Sequence, residues 1–138
     1  MVHALHTIAP LLKPGGFLID IHPGTSHPEI FVRTKTGAQF AGAMDEKGDF
    51  VEYGQAQAAL EQAVRDGTFA LEHQGQFAFS IHADTLESLQ DYLAENWKDA
   101  ILTPEVIRKT AALFEGPPAG EEIIVTEQID IARLRPKR

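Results

Sequence analysis

Asp20 and His22 are a polar pair whose spacing could support ligand binding at the end of a strand. They lie two positions apart, at the end of and just after an apolar segment, residues 17–21, that we predict to be a strand. Side chains two apart on a strand share a face, so these two residues form one polar pair. Open α/β sheets bind ligands at the carboxyl ends of their strands, which makes both residues candidates for substrate binding. The favoured alternative is a histidine exposed at the start of a loop, with Asp20 as its local hydrogen-bond partner.

His27 and Trp97 are two further candidates for substrate binding. His27 lies in the loop predicted after the strand, and Trp97 could stack against a planar substrate. For Trp97 the helical spacing of Leu89 and Leu93 before it favours the alternative, an anchor in a core or an interface. We assign no catalytic residue, because no Ser or Thr lies at a nucleophile elbow and no carboxylate pair has a diagnostic spacing.

The six histidines do not form a pattern typical of a metal site. His3 and His6 are three apart on a predicted helix, where two imidazoles could share a cation. No His-x-Glu-x-x-His or similar spacing accompanies them, and the chain has no cysteine to supply a thiolate. We therefore predict that no metal is bound.

Composition and charge are typical of a soluble globular domain. The chain has 138 residues, 43% of them hydrophobic, and a formal net charge of −8. Such an acidic balance argues against nucleic acid as a partner, because affinity for phosphates requires clustered Lys and Arg. No apolar run is long enough to cross a membrane, and the start lacks the pattern of a secretory signal. We predict a cytoplasmic protein, with the basic residues from Arg133 onward forming a solvated tail.

Hydrophobic periodicity predicts elements along the whole length of the chain. Helices are expected at 2–12, interrupted by Pro10, at 55–66, after a capping box of Asp84 and Glu87, and from Pro104 onward. Strands are expected at 17–21, in a meander at 30–34, 38–44 and 50–53, at 69–81 as one strand or two, and at 122–132.

Residues 4–23, ALHTIAPLLKPGGFLIDIHP, resemble one segment of the class I S-adenosylmethionine-dependent methyltransferases. In that family a helix ends in a Leu-Lys-Pro-Gly-Gly turn that leads into the fifth strand of the sheet. The residues from Leu12 to Gly16 match this turn. The proline stops the helix, and the two glycines allow a tight reversal of the backbone.

The resemblance implies an α/β fold within a single domain spanning residues 1–138. The chain would hold strands five to seven of a partial Rossmann-like methyltransferase sheet, with the last strand antiparallel and with an added meander and helices. Residues 22–53 and 84–115 would shape the pocket of the methyl acceptor. The alternative is an α+β fold.

The family's cofactor-binding half has no counterpart in this sequence. In the family a glycine-rich turn follows the first strand and an acidic residue ends the second, as in dinucleotide folds. Here no Gly-x-Gly-x-Gly follows a predicted strand, and on the order of 100 residues upstream would be needed to supply one. We therefore expect no cofactor to be bound by this chain alone. S-adenosylmethionine would bind in a longer parent or in a complex that has methyltransferase activity.

The second interpretation is a non-catalytic module for binding or oligomerisation. In the family, strand four would pair with the free edge of the strand at 17–21, and here it has no counterpart upstream. An apolar edge without Lys, Arg or Pro invites pairing with another chain. We therefore predict a homo-oligomer formed through residues 2–21, or a partner that supplies the missing strands.

Overall fold

The computed structural model describes residues 1–138, apart from the side chains of Asp49, Phe50 and Pro117. Over this range the chain has a mixed α/β fold with four α-helices, a mostly antiparallel five-stranded sheet and a two-stranded ladder. In chain order the elements are α1 (Val2–Ile8), β1 (Leu18–Pro23), β2 (Glu29–Thr34), β3 (Gly37–Ala43), β4 (Asp45–Glu46), α2 (Asp49–Arg65), β5 (Phe69–Ala83), α3 (Leu86–Asn96), β6 (Ala100–Ile101), α4 (Pro104–Leu113) and β7 (Glu122–Pro136). The predicted mixed α/β class is confirmed, whereas the Rossmann-like assignment remains a proposal.

The chain divides into two compact units. The first unit comprises residues 1–25, 50–77 and 128–138, and the second comprises residues 26–49 and 78–127. Strands β5 and β7 contribute residues to both units. The single-domain interpretation stays a prediction. Within the described residues, no helix is both long and apolar enough to cross a membrane.

In the first unit, the turn before β1 has the geometry that its glycines predict. Helix α1 ends at Ile8, and a 3-10 helix over Ala9–Leu11 accommodates the proline. Gly15 has a φ of 78°, in the left-handed region that favours glycine. A Cβ added at Gly16 would lie 2.9 Å from the Lys13 carbonyl oxygen, which accepts the Gly16 N–H at 2.8 Å. The turn therefore requires glycine at both positions.

Strand β7 lies between β1 and β5 in the first unit. Its antiparallel register with β1 runs from Leu18 opposite Leu134 to Pro23 opposite Ile129. On its other edge β7 pairs with β5, and side chains join the two strands at Glu72 with Arg135. The predicted antiparallel last strand is thus confirmed at β1. Among the described strands, β7 is the only one that pairs with β1, so β1 has a free edge.

The two faces of β1 have different surroundings. One face contributes Leu18 to a core. The other face carries Phe17, Ile19 and Ile21, whose exposed fractions are 44%, 44% and 58%. The Arg133 guanidinium lies over the Phe17 ring, 4.0 Å from its centre. The buried members of the core are Leu5, Ala59, Leu60, Ala63, Phe69 and Leu134.

The second unit contains a hairpin, β2–β3, whose strand β2 also pairs antiparallel with β7. Thr85 and Thr103 are the N-cap residues of helices α3 and α4, and each threonine side chain accepts a backbone N–H of the first turn. The alternating apolar residues of β2 and β7 pack with those of α3 and α4. The buried core consists of Ile30, Val32, Ala41, Met44, Leu89, Leu93, Val106, Ile123 and Val125.

Three sequence predictions about local structure are wrong. Residues 50–53 are not a strand but belong to α2. The helix formers that follow Gly54 favour a continuous helix that includes this glycine and residues 50–53. The cap of α3 is Thr85 with Ser88 rather than Asp84 with Glu87, one residue later than the pattern indicates. The basic residues after position 132 are not all a solvated tail, because β7 continues to Pro136.

Arg135 of β7 contacts both β5 and the turn before β1 in the first unit. Its contact in β5 is with Glu72, so Glu72 has a role in stability. The Arg135 guanidinium donates to the Glu72 carboxylate and to the Gly15 carbonyl oxygen, the latter at 2.8 Å. Arg133 also lies 2.8 Å from the same carboxylate. The hydrogen bond from Arg135 is the largest influence that holds the pKa of Glu72 below its ordinary value.

We expect Glu72→Gln to make unfolding less dependent on pH in the acid range. A carboxyl group whose pKa is lowered by folding stabilises the protein above its unfolded pKa, and this contribution is lost as the pH falls through the folded pKa. Urea unfolding of both proteins at neutral pH and near pH 3 measures the difference. Glu95→Gln, on an exposed face of α3, is the control. Identical pH profiles for wild type and Glu72→Gln would contradict the expectation.

Candidate functional site

Asp20 and His22 form a hydrogen-bonded pair on the face of β1 that carries Leu18. The Nδ1 atom of His22 lies 2.5 Å from an Asp20 carboxylate oxygen. Only 10% of the His22 side chain and 13% of the Asp20 side chain are exposed. The predicted hydrogen bond between Asp20 and His22 is confirmed. The prediction that His22 is exposed at the start of a loop is wrong, because His22 lies in β1 and its side chain is largely buried. The carboxylate fixes the ring and leaves the second nitrogen, Nε2, for another partner.

Asp130 brings a second carboxylate to His22 from the neighbouring strand. The two residues are directly opposite in the β1–β7 register, so their side chains share a face. The distance from His22 Nε2 to Asp130 Oδ2 is 3.8 Å, too long for a hydrogen bond. The other oxygen, Oδ1, accepts a hydrogen bond from the Gln76 amide at 2.6 Å. His22 Nε2 is buried and has no hydrogen-bond partner among the described residues.

A pocket of about 780 Å³ within the first unit is lined by His22, Gln76 and Asp130. The volume is in the range typical of sites for small molecules, roughly 300–1,000 Å³. Helix α2 supplies one wall, and strands β5 and β7 supply the others. The lining residues used below are His22, Leu60, Glu61, Val64, Arg65, Leu71, Gln76 and Asp130.

The pocket is rich in hydrogen-bond acceptors. Its one arginine, Arg65, lies 3.8 Å from the Glu61 carboxylate and donates to Gln62 at 3.1 Å. The carboxylates of Asp20 and Asp130 have no comparable cation within the first unit's described contacts. The electrostatic field near His22 is therefore negative, which favours a ligand that donates hydrogen bonds or carries positive charge.

The other two candidates lie in the second unit. His27 Nδ1 is 3.8 Å from Asp45 Oδ1, and both side chains are more than half exposed. Trp97 is partly buried and packs against the core of that unit, as its alternative interpretation predicts. The pocket is built without them, so their role in binding stays a prediction. A smaller pocket in the same unit, of about 380 Å³, lies near Thr34, Gln39 and Leu113.

The histidines of α1 show no geometry of a metal site. His6 Nε2 lies 2.8 Å from an Asp66 carboxylate oxygen. Hydrogen bonds from Thr68, and then from His6, lower the pKa of Asp66. Nowhere in the part of the chain that the structure describes do three or more His, Cys, Asp or Glu side chains group as metal ligands would.

Gly15 and Gly16 do not form a cradle of the kind that would hold S-adenosylmethionine. Gly15 and Gly16 precede β1, whereas a cofactor cradle follows a strand. The absent Cβ of Gly16 makes room for the backbone of Lys13, so this glycine serves the turn rather than a ligand. A Cβ at Gly15 would meet nothing within 4 Å. No reaction step through this cofactor follows from the residues present.

Asp130 and Gln76 are not among the site residues predicted from the sequence. The signal for Asp130 is a charged residue between two isoleucines in an apolar strand, where burial of a carboxylate requires a partner. Its partner lies in β1, and only the strand register reveals that His22 is opposite.

We expect neutral His22 to carry its hydrogen on Nδ1, because the Asp20 carboxylate can only accept. Long-range ¹H–¹⁵N correlation spectra at about pH 8, where imidazole is ordinarily neutral, identify the protonated nitrogen. Asp20→Ala should move hydrogen to Nε2, whereas the exposed His73 serves as an internal control that does not change. A wild-type spectrum with hydrogen on Nε2 alone would show that the pair has the opposite polarity.

No protein-family model, no curated protein and no solved structure matches this sequence. The assignment of function therefore rests on the turn before β1, the order of the strands and the residues around His22.

Proposed function

We propose that the chain is the acceptor-side portion of a methyltransferase of the S-adenosylmethionine-dependent class. The observation that carries the proposal is the sequence of a Leu-Lys-Pro-Gly-Gly turn, a strand, and a last strand antiparallel to it. In the family, the last strand lies between strands five and six. Here β7 lies between β1 and β5 in the first unit, which supports the correspondence.

Under this proposal the chain is inactive by itself. The glycine cradle and the acidic ribose ligand would come from a longer parent or from a partner chain that supplies strands one to four. The free edge of β1 is where the family pairs strand four, and that edge has no strand partner in the described sheet. This chain would then contribute the wall of the acceptor site around the carboxyl end of β1.

The second candidate function is a non-catalytic module for oligomerisation. It is favoured by the exposed apolar face of Phe17, Ile19 and Ile21 beside a free strand edge. Strand edges and apolar faces of this kind are typical of surfaces that pair with another chain. We propose that residues 2–21 form the contact between two copies of the chain. The same contact could be used by a partner that supplies the missing strands.

We expect the isolated chain not to bind S-adenosylmethionine or its demethylated product. Isothermal titration calorimetry of the 138-residue chain measures this directly, with the two ligands titrated separately. A methyltransferase that contains strands one to four is the positive control, because it provides the missing cradle. A dissociation constant in the low micromolar range for the isolated chain would overturn the proposed loss of the cofactor site.

We expect the isolated chain to self-associate in solution through β1. Sedimentation velocity at tens of micromolar protein should give a mass above the 15.2 kDa of one chain. Ile19→Lys together with Ile21→Lys places two charges on the exposed face and should restore the monomer. Val51→Lys, at another exposed apolar residue, is the matched control. A wild-type monomer would rule out this contact. A dimer that stays intact when Ile19→Lys and Ile21→Lys are combined would also rule it out.

A further inference from the structure

The Nε2 atom of His22 is buried beside the pocket. Because Nδ1 donates to Asp20, neutral His22 presents a lone pair at Nε2. This atom has no hydrogen-bond partner among the described residues, and nine-tenths of the side chain is buried. Buried polar groups in folded proteins are almost always paired, so an unpaired acceptor that lines a pocket points to a bound group.

Asp130 restricts what this group can be. Its Oδ2 atom lies 3.8 Å from Nε2, and its other oxygen is already engaged by Gln76. An atom placed on the pocket side, at a hydrogen-bond distance of about 2.8 Å from both, would bridge them. Both Nε2 and Oδ2 accept, so the bridging atom must donate two hydrogens. A hydroxyl or a carboxylate cannot do this, whereas water, a primary amide or an ammonium group can.

Charge and shape select among these donors. Asp20 and Asp130 bring two carboxylates to the site, and the nearby Arg65 is already paired with Glu61. A cationic donor gains from this field, whereas a neutral amide gains little. The remaining wall includes Leu60, Val64 and Leu71, which suits an aliphatic chain attached to the donor.

We propose that this pocket binds a primary alkylamine in its ammonium form, with the nitrogen held between His22 Nε2 and Asp130 Oδ2. The inference goes beyond the proposed methyltransferase relationship, because it concerns only residues of the first unit and no cofactor.

The test is a titration of the full chain with butylamine, followed by long-range ¹H–¹⁵N correlation of the His22 ring at about pH 8. Butan-1-ol and butyrate are matched controls of the same length without the ammonium group. We expect a saturable shift of the Nε2 resonance with butylamine and at least about tenfold weaker binding of both controls. Equal binding of butanol, or a doubly protonated His22 at this pH, would overturn the proposal.

Two variants test the geometry. Asp130→Asn removes the charge and should weaken butylamine binding by about tenfold or more, while Asp91→Asn on an exposed face of α3 should not change it. Leu71→Lys places an ammonium group of the protein on the pocket wall and should abolish binding. Leu71 is 41% exposed, so we expect Leu71→Lys to fold. This variant therefore tests the site even if Asp130→Asn does not fold. Unchanged affinity in the folded variants would refute the site. Binding is measured without S-adenosylmethionine, so the outcome is independent of the proposed function.

Discussion

The fold depends on the hydrogen bonds along both edges of β7. A buried strand must pair its N–H and C=O groups, because an unpaired backbone group away from water is costly. In the first unit β7 pairs with β1 and β5, and in the second it pairs with β2 and β5. Its side chains Ile123, Val125 and Leu134 are among the most buried of the chain. Without this strand, β1 and β5 would have no strand partner in the described sheet, and β2 would keep only β3.

Alternation and caps allowed much of the fold to be predicted from sequence. The strand at 122–132, the hairpin of 30–34 with 38–44 and the helix after Thr103 were all identifiable, because each has a strong local signal. The errors also have physical causes. Residues 50–53 carry β-forming side chains, but they belong to the helix that was predicted only at 55–66, and its packing through Ala59, Leu60 and Ala63 outweighs their local preference.

The candidate site was only half predictable for the same reason. Asp20 and His22 are close in sequence, so alternation along one strand is enough to place them together. Asp130 reaches them through the register of β1 with β7, and a shift of one residue would turn its side chain to the other face. The pocket requires α2 as well, and the position of a helix on a sheet is a tertiary property. A polar residue in an apolar strand indicates a partner without identifying it.

The separation in sequence between β1 and β7 also affects how the chain folds. Leu18 pairs with Leu134, so β1 remains without its strand partner until nearly the whole chain has been synthesised. Such non-local pairing has a high contact order, and its loop-closure entropy must be overcome before the contacts are gained. During this interval the segment with Phe17, Ile19 and Ile21 is an unpaired apolar strand. We therefore expect slow folding, with β1 as the segment that a chaperone would bind during synthesis.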